Sequence, residues 1–173
     1  DQDYDFQFVE RPQMPLASLD RGENVIYISS FCKVIAPGLR AGYIVAPIDF
    51  IEEVAKLRRI IDRQSDVFME QGLGELLFEG EIERHVKKVQ KIYQQRRNQL
   101  IYLLTKELEE YVTFTPPSGG LAFWTLWHKK INLVKLSKQC QDCGLFISPA
   151  MLYQTKRFSA MRLGFGNLTE TEM

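Results

Sequence analysis

Lys33 stands between a strand-like apolar run, Val25–Ile28, and the turn formers Pro37-Gly38, inside the segment S-S-F-C-K-V-I-A-P-G-L-R-A-G-Y at residues 29–43. A lysine amine in such a place is a candidate for desolvation, which disfavours the ammonium and frees a nucleophilic lone pair. That amine condenses with an aldehyde, losing one water, to give a Schiff base. Ser30 lies three residues before Lys33 and Arg40 seven after it. A guanidinium fork with one added hydroxyl donor suits a dianionic phosphate. An isolated Lys-x6-Arg pair is more often two solvated loop cations. A lysine for an aldehyde beside Ser30 and Arg40 for a phosphate implies pyridoxal 5'-phosphate.

The segment resembles the cofactor-lysine segment of fold-type-I pyridoxal-phosphate aminotransferases, most closely the MocR-type regulators of the GntR superfamily. There it reads S/T-F-S-K-x-L-x-P-G-L-R-x-G-Y, and a winged helix is fused to an aminotransferase-like domain. D-Y-D-F-Q-F at 3–8 is similar to the family's D-D-Y-D-S-E-F. E-G-E-I-E-R-H-V-K-K-V-Q-K-I-Y-Q-Q-R-R at 79–97 resembles its G-x3-R-H-x7-Y-x2-R-R helix. P-S-G-G-L-A-F-W at 117–124 and M-R-L-G-F-G-N-L at 161–168 carry the likeness over essentially the whole chain.

The resemblance implies an α/β fold: part of the large-domain sheet of a fold-type-I aminotransferase, residues 1–80, and a small carboxyl-terminal α/β domain, residues 81–173, joined by a long helix. It makes Lys33 the aldimine-forming lysine, with Ser30 and Arg40 on the phosphate and Tyr4 donating to the cofactor phenolate. A carboxylate facing the pyridine nitrogen keeps the ring an electron sink. The regulator register puts Gln2 there, and the ordinary aminotransferase register puts Asp1; Gln2 argues against efficient transamination. Arg162 corresponds to the arginine that grips a substrate α-carboxylate, and Asn167 stands where some sensing relatives carry a second arginine. Gly119-Gly120 fits a close backbone approach to the substrate, and Cys32 replaces the usual serine. In the family, the Gly/Ser phosphate loop and the ring-stacking aromatic precede the segment matched by residue 1. The chain is therefore expected to be a fragment with an incomplete cofactor site, binding the cofactor poorly by itself.

A length of 173 residues with 45% hydrophobic and 12% aromatic content suits one ordinary domain or two small ones with packed cores. Twenty-two basic and 22 acidic residues cancel, which excludes general attraction to nucleic acid or anionic membrane. No run approaches a transmembrane span and no signal-like amino terminus appears, so a soluble cytoplasmic chain is expected. Cys32, Cys140 and Cys143 read as free thiols, because the lone C-x2-C lacks further ligands.

The apolar runs Val25–Ser29 and Ala41–Ala46 predict strands buried in a sheet covered on both faces. A helix follows from Phe50 to Ile61 with Asp49 as cap, then another over Phe68–Leu77. From Ile82 to about Tyr111, apolar residues recur at helical spacing between Lys, Arg and Gln. That predicts one long amphipathic helix whose basic face is solvated. Strands at Val112–Thr115, Leu121–Leu126, Phe146–Ser148 and Met161–Phe165 and a helix at Leu133–Cys143 complete the small domain. His85 and His128 lack an acid–serine arrangement, and Trp124 and Trp127 read as core and rim.

Three functions fit. The first is an effector-sensing domain that binds the cofactor at Lys33 and an amino compound, with DNA contacted through a winged helix outside these residues. The second is a free-standing aminotransferase. The third is a cofactor-less dimerisation scaffold. A homodimer is expected in each, with no membrane partner.

Overall fold

The computed structural model describes residues 14–20, 23–63, 65–147 and 154–173. The chain forms two compact units, Asp1–Gln90 and Lys91–Met173.

In the first unit, β1 (Tyr27–Ser30) pairs antiparallel with β2 (Gly42–Val45), placing Tyr27 opposite Val45 and Ser30 opposite Gly42. Residues 31–41 connect them, too few for the crossover that parallel pairing needs. The expectation of strands covered on both faces is corrected: Ile28, Ile44 and Val45 are exposed in the described structure. Phe31 N extends the ladder to Ala41 O at 3.0 Å. Gly42 is required by space, since a Cβ there would lie 2.9 Å from the Ser29 carbonyl oxygen.

Three helices follow: α1 (Ile48–Ile61), α2 (Val67–Phe78) and α3 (Glu81–Leu108). Asp49 is not the cap of α1. Pro47, extended at ψ 146, turns the chain into the helix two residues earlier, and Asp49 lies in the first turn, where its charge suits the helix dipole. Asp66 caps α2, its carboxylate accepting from Met69 N at 3.0 Å. Gly80, at φ +71, takes the left-handed conformation that ends α2.

Buried Phe31 and Val34 from the connection pack with Leu73 of α2 and Ile82 and Val86 of α3. Elsewhere α2 is open: Phe68 and Phe78 are 90% and 94% exposed.

The second unit holds an antiparallel sheet in the order β3 (Val112–Phe114), β4 (Ala122–Trp127), β5 (Ala160–Gly164), with α4 at Leu133–Asp142. Alternation along β4 buries Phe123 and Thr125 and exposes Trp124 and Leu126. Phe123 packs edge-on against Phe165, ring centroids 5.6 Å apart, and both join Leu104 of α3 in the core. A second cluster seats Leu133 against Met161. Buried Thr125 donates its hydroxyl to Met161 O at 3.1 Å, so its polar atom is satisfied.

Asn132 caps α4 by accepting from Lys135 N. Gly144, at φ +78, ends it, and Leu145 N returns to Cys140 O at 2.8 Å. The strand expected at Phe146–Ser148 is absent over 146–147, where no described strand pairs with the chain; Ser148 lies outside the described residues.

Gly42→Ala should destabilise the protein by about 1–3 kcal/mol, because the methyl meets main chain rather than a yielding side chain. Phe123→Ala should cost about 3–5 kcal/mol. Urea unfolding of the full-length gene product reads both, and an unchanged midpoint for either would contradict the packing described.

Candidate functional site

Val34 N and Ile35 N both donate to Phe31 O, at 3.1 and 2.9 Å, which winds residues 31–35 into one tight turn. Phe31, Cys32 and Val34 are buried within it, and Lys33 alone among them is exposed. The desolvation expected of the Lys33 amine is therefore not provided by the described residues. The turn spends its inward directions on three apolar side chains, and the remaining direction faces outward.

Two further bonds hold the turn. Cys32 donates its thiol to Ala41 O at 3.8 Å. On α3, His85 Nε2 lies 3.1 Å from Val34 O, the carbonyl directly after Lys33. Sequence alone does not reveal this role of His85, since its partner is main chain 51 residues away.

Arg40 follows the 3-10 turn Pro37–Leu39 with φ 48 and ψ 31, a left-handed backbone that costs a non-glycine residue about 1–2 kcal/mol. The adjacent Gly38 shows no positive φ and no crowding that would demand a glycine. Strain thus sits on the arginine, an arrangement that clusters at functional sites. Its Nη1 reaches Cys32 Sγ at 4.0 Å, a weak contact that uses one of five guanidinium donors. Ser30, half-buried at the end of β1, shares this hairpin with Lys33 and Arg40. The hairpin thus carries a guanidinium, a hydroxyl and an outward amine, the group types that a phosphate-bearing aldehyde takes.

A cavity of about 700 Å³ opens between the hairpin and helices α1 and α2, lined by Ser29, Arg40 and Tyr43 with Arg58, Glu70 and Leu73. Lys33 and Ser30 do not line it. Arg58 bridges the helices to Glu70 at 2.7 Å, and its hydrogen bond, then that of Ser65, holds the Glu70 carboxyl below its ordinary value. Tyr4, Asp1 and Gln2 lie outside the described residues.

In the second unit, Arg162 stands opposite Trp124 on the exposed face of β4 and β5. It makes no hydrogen bond or ion pair with another described residue. Gly120 has φ +79, a backbone conformation that favours glycine, and a Cβ there would meet no protein atom within 4 Å.

The basic face of α3 is also not uniformly solvated. Arg96 donates to Gly166 O, Arg97 Nε to Pro117 O at 2.7 Å, and Gln99 to Glu170 O at 3.0 Å. These clamp the loops beside β4 and β5. The available signal was phase: Tyr93, Arg96, Arg97 and Leu100 share one helix face, and Tyr93 and Leu100 are core residues.

The profile of aminotransferase class I and II matches residues 3–173. Among curated relatives, the chain is 26% identical over 161 residues to an uncharacterized HTH-type transcriptional regulator, YisV, of Bacillus subtilis, covering 93% of this chain and 33% of that protein. It is 29% identical over 159 residues to the HTH-type transcriptional regulator NorG of Staphylococcus aureus, covering 91% and 36%. The chain thus spans about a third of the length of these relatives. Among solved structures, kynurenine aminotransferase of Pyrococcus horikoshii superposes with a TM-score of 0.84 at 26% identity, over 98% of this chain and 43% of that one. The fold is that of fold-type-I aminotransferases, with part of their sheet architecture. With the lysine hairpin, the strained arginine and the clamped loops in place, the chain belongs to the aminotransferase class I and II family.

Proposed function

We propose that this chain is part of the pyridoxal-phosphate-binding, effector-sensing domain of a GntR-superfamily, MocR-type transcriptional regulator, with Lys33 carrying the cofactor. The observation that carries the reading is the hairpin holding Ser30, Lys33 and Arg40, read beside relatives named as HTH-type regulators. Lys33 offers its amine to the cofactor aldehyde, and Arg40 and Ser30 bind the phosphate. When bound, the cofactor supplies an electron sink for charge at the α-carbon of an amino compound. Tyr4 hydrogen-bonds the ring oxygen, Asp1 or Gln2 faces the ring nitrogen, and Arg162 takes the carboxylate of the effector. Residues 1–80 serve as the cofactor-domain part and 81–173 as the small domain. The protein works as a cytoplasmic homodimer and meets DNA through a winged helix elsewhere in the polypeptide. Effector binding biases the equilibrium between two arrangements of that dimer.

A free-standing aminotransferase is the second reading, favoured by the likeness to an enzyme structure named for kynurenine transamination. The regulator register, which puts Gln2 rather than Asp1 opposite the ring nitrogen, argues for the regulator. A cofactor-less dimerisation scaffold is the third.

Borohydride reduction of the full-length gene product with pyridoxal phosphate should fix the label on Lys33, and folded protein without label would leave the scaffold. Lys33→Ala should remove the label while changing stability by less than about 0.5 kcal/mol, since the side chain is exposed. Arg40→Gly separates strain from binding. Stability should hold or rise by up to about 1 kcal/mol while pyridoxal-phosphate affinity falls about tenfold or more. Loss of both together would make Arg40 a structural residue. Arg162→Ala should weaken binding of L-amino acids, followed by titration calorimetry, about ten- to hundredfold. Unchanged binding would remove Arg162 from the site.

A further inference from the structure

We propose that His85 is a positioning residue for Lys33: its Nε2–H holds the Val34 carbonyl and so sets where the adjacent lysine amine points. The inference extends the cofactor reading above but is tested apart from it.

The argument begins with the turn. Lys33 is bounded by two side chains sunk in the core of the first unit, Phe31 and Val34. On its amino-terminal side the backbone is held by Phe31 N bonding Ala41 O at 3.0 Å. On its carboxyl-terminal side the turn's own bonds from Val34 N and Ile35 N end on Phe31 O, and no described backbone donor reaches Val34 O. The His85 ring supplies that donor at 3.1 Å. A carbonyl can only accept, so Nε2 carries the proton in this bond. The bond therefore survives protonation of the ring, when both nitrogens are donors.

Helix phase adds a second support. Ile82 and Val86, on either side of His85 along α3, pack into the same cluster as Phe31 and Val34. The ring is thus delivered to Val34 O by a helix already seated against the turn, and rotation of the 34–35 peptide would leave that carbonyl unpaired. Such a loss typically costs enough to change a local equilibrium about tenfold. His85 touches neither cofactor nor substrate in this account; it acts through the Val34–Ile35 peptide, one residue beyond Lys33.

The test compares the full-length gene product with His85→Leu, which removes the donor, and His85→Gln, whose amide restores one. Two readouts need no cofactor: hydrogen exchange of the amides in residues 31–36, and the rate of reductive methylation of Lys33 by formaldehyde, relative to exposed Lys129 in the same sample. A third is the pH midpoint of the absorbance band in protein loaded with pyridoxal phosphate. His85→Leu is expected to speed exchange about tenfold and to shift the Lys33 methylation ratio at least about threefold, with His85→Gln close to the parent. In loaded protein, the pH midpoint should move with His85→Leu and recover with His85→Gln. The proposal is overturned if His85→Leu lowers the melting temperature but leaves exchange and the methylation ratio at parental values. Failure of the parent to take up pyridoxal phosphate, with both cofactor-free readouts responding, would sink the cofactor reading and leave the positioning role standing.

Discussion

The burial of Phe31 and Val34 against α2 and α3 is the constraint on which the lysine hairpin depends. With those two side chains inside, Lys33 has one direction left, and it faces out. The antiparallel pairing of β1 with β2, the tight turn and the strained backbone of Arg40 follow from closing a short connection over that anchor. A lysine in a free loop samples many orientations and loses them on binding. Here the backbone share of that conformational entropy is already lost on folding.

The same economy operates in the second unit through α3. Arg96 and Arg97 reach main-chain carbonyls, so the loops beside β4 and β5 are held whatever side chains they display. Surface pairs such as Lys87–Glu83 lie on the same helix with both partners about 70% exposed, where solvent screening leaves little net stabilisation. Charge on α3 therefore divides by reach: the half-buried guanidiniums near Tyr93 hold loops, and the fully solvated ammoniums do not.

Much of this was legible in the sequence. Helical spacing marked α3, α1 and α2 to within a few residues, because apolar periodicity reports which face is buried. The Lys33–Arg40 segment carried its own chemistry. What the sequence hid was long-range and main-chain in kind. His85 and Arg97 act on carbonyls of Val34 and Pro117, and any residue presents a carbonyl, so composition leaves no trace of the pairing. The exposure of Lys33 was misread because an apolar neighbourhood in sequence does not say which side chains turn inward. Asp49 was misread because Pro47 already started the helix.

Helix α2 has one consequence for how this protein behaves in solution. Its sequence, V-F-M-E-Q-G-L-G-E-L-L-F, is apolar on nearly all sides, a pattern that suits a helix enclosed all round. Only Leu73 is buried, and phenylalanines at either end of the helix stand in water. Water ordered around such surface is released when the surface is covered, so any association that sheathes α2 carries a large negative heat-capacity change and grows weaker on cooling. The thermal signature of assembly is thereby written into a single helix.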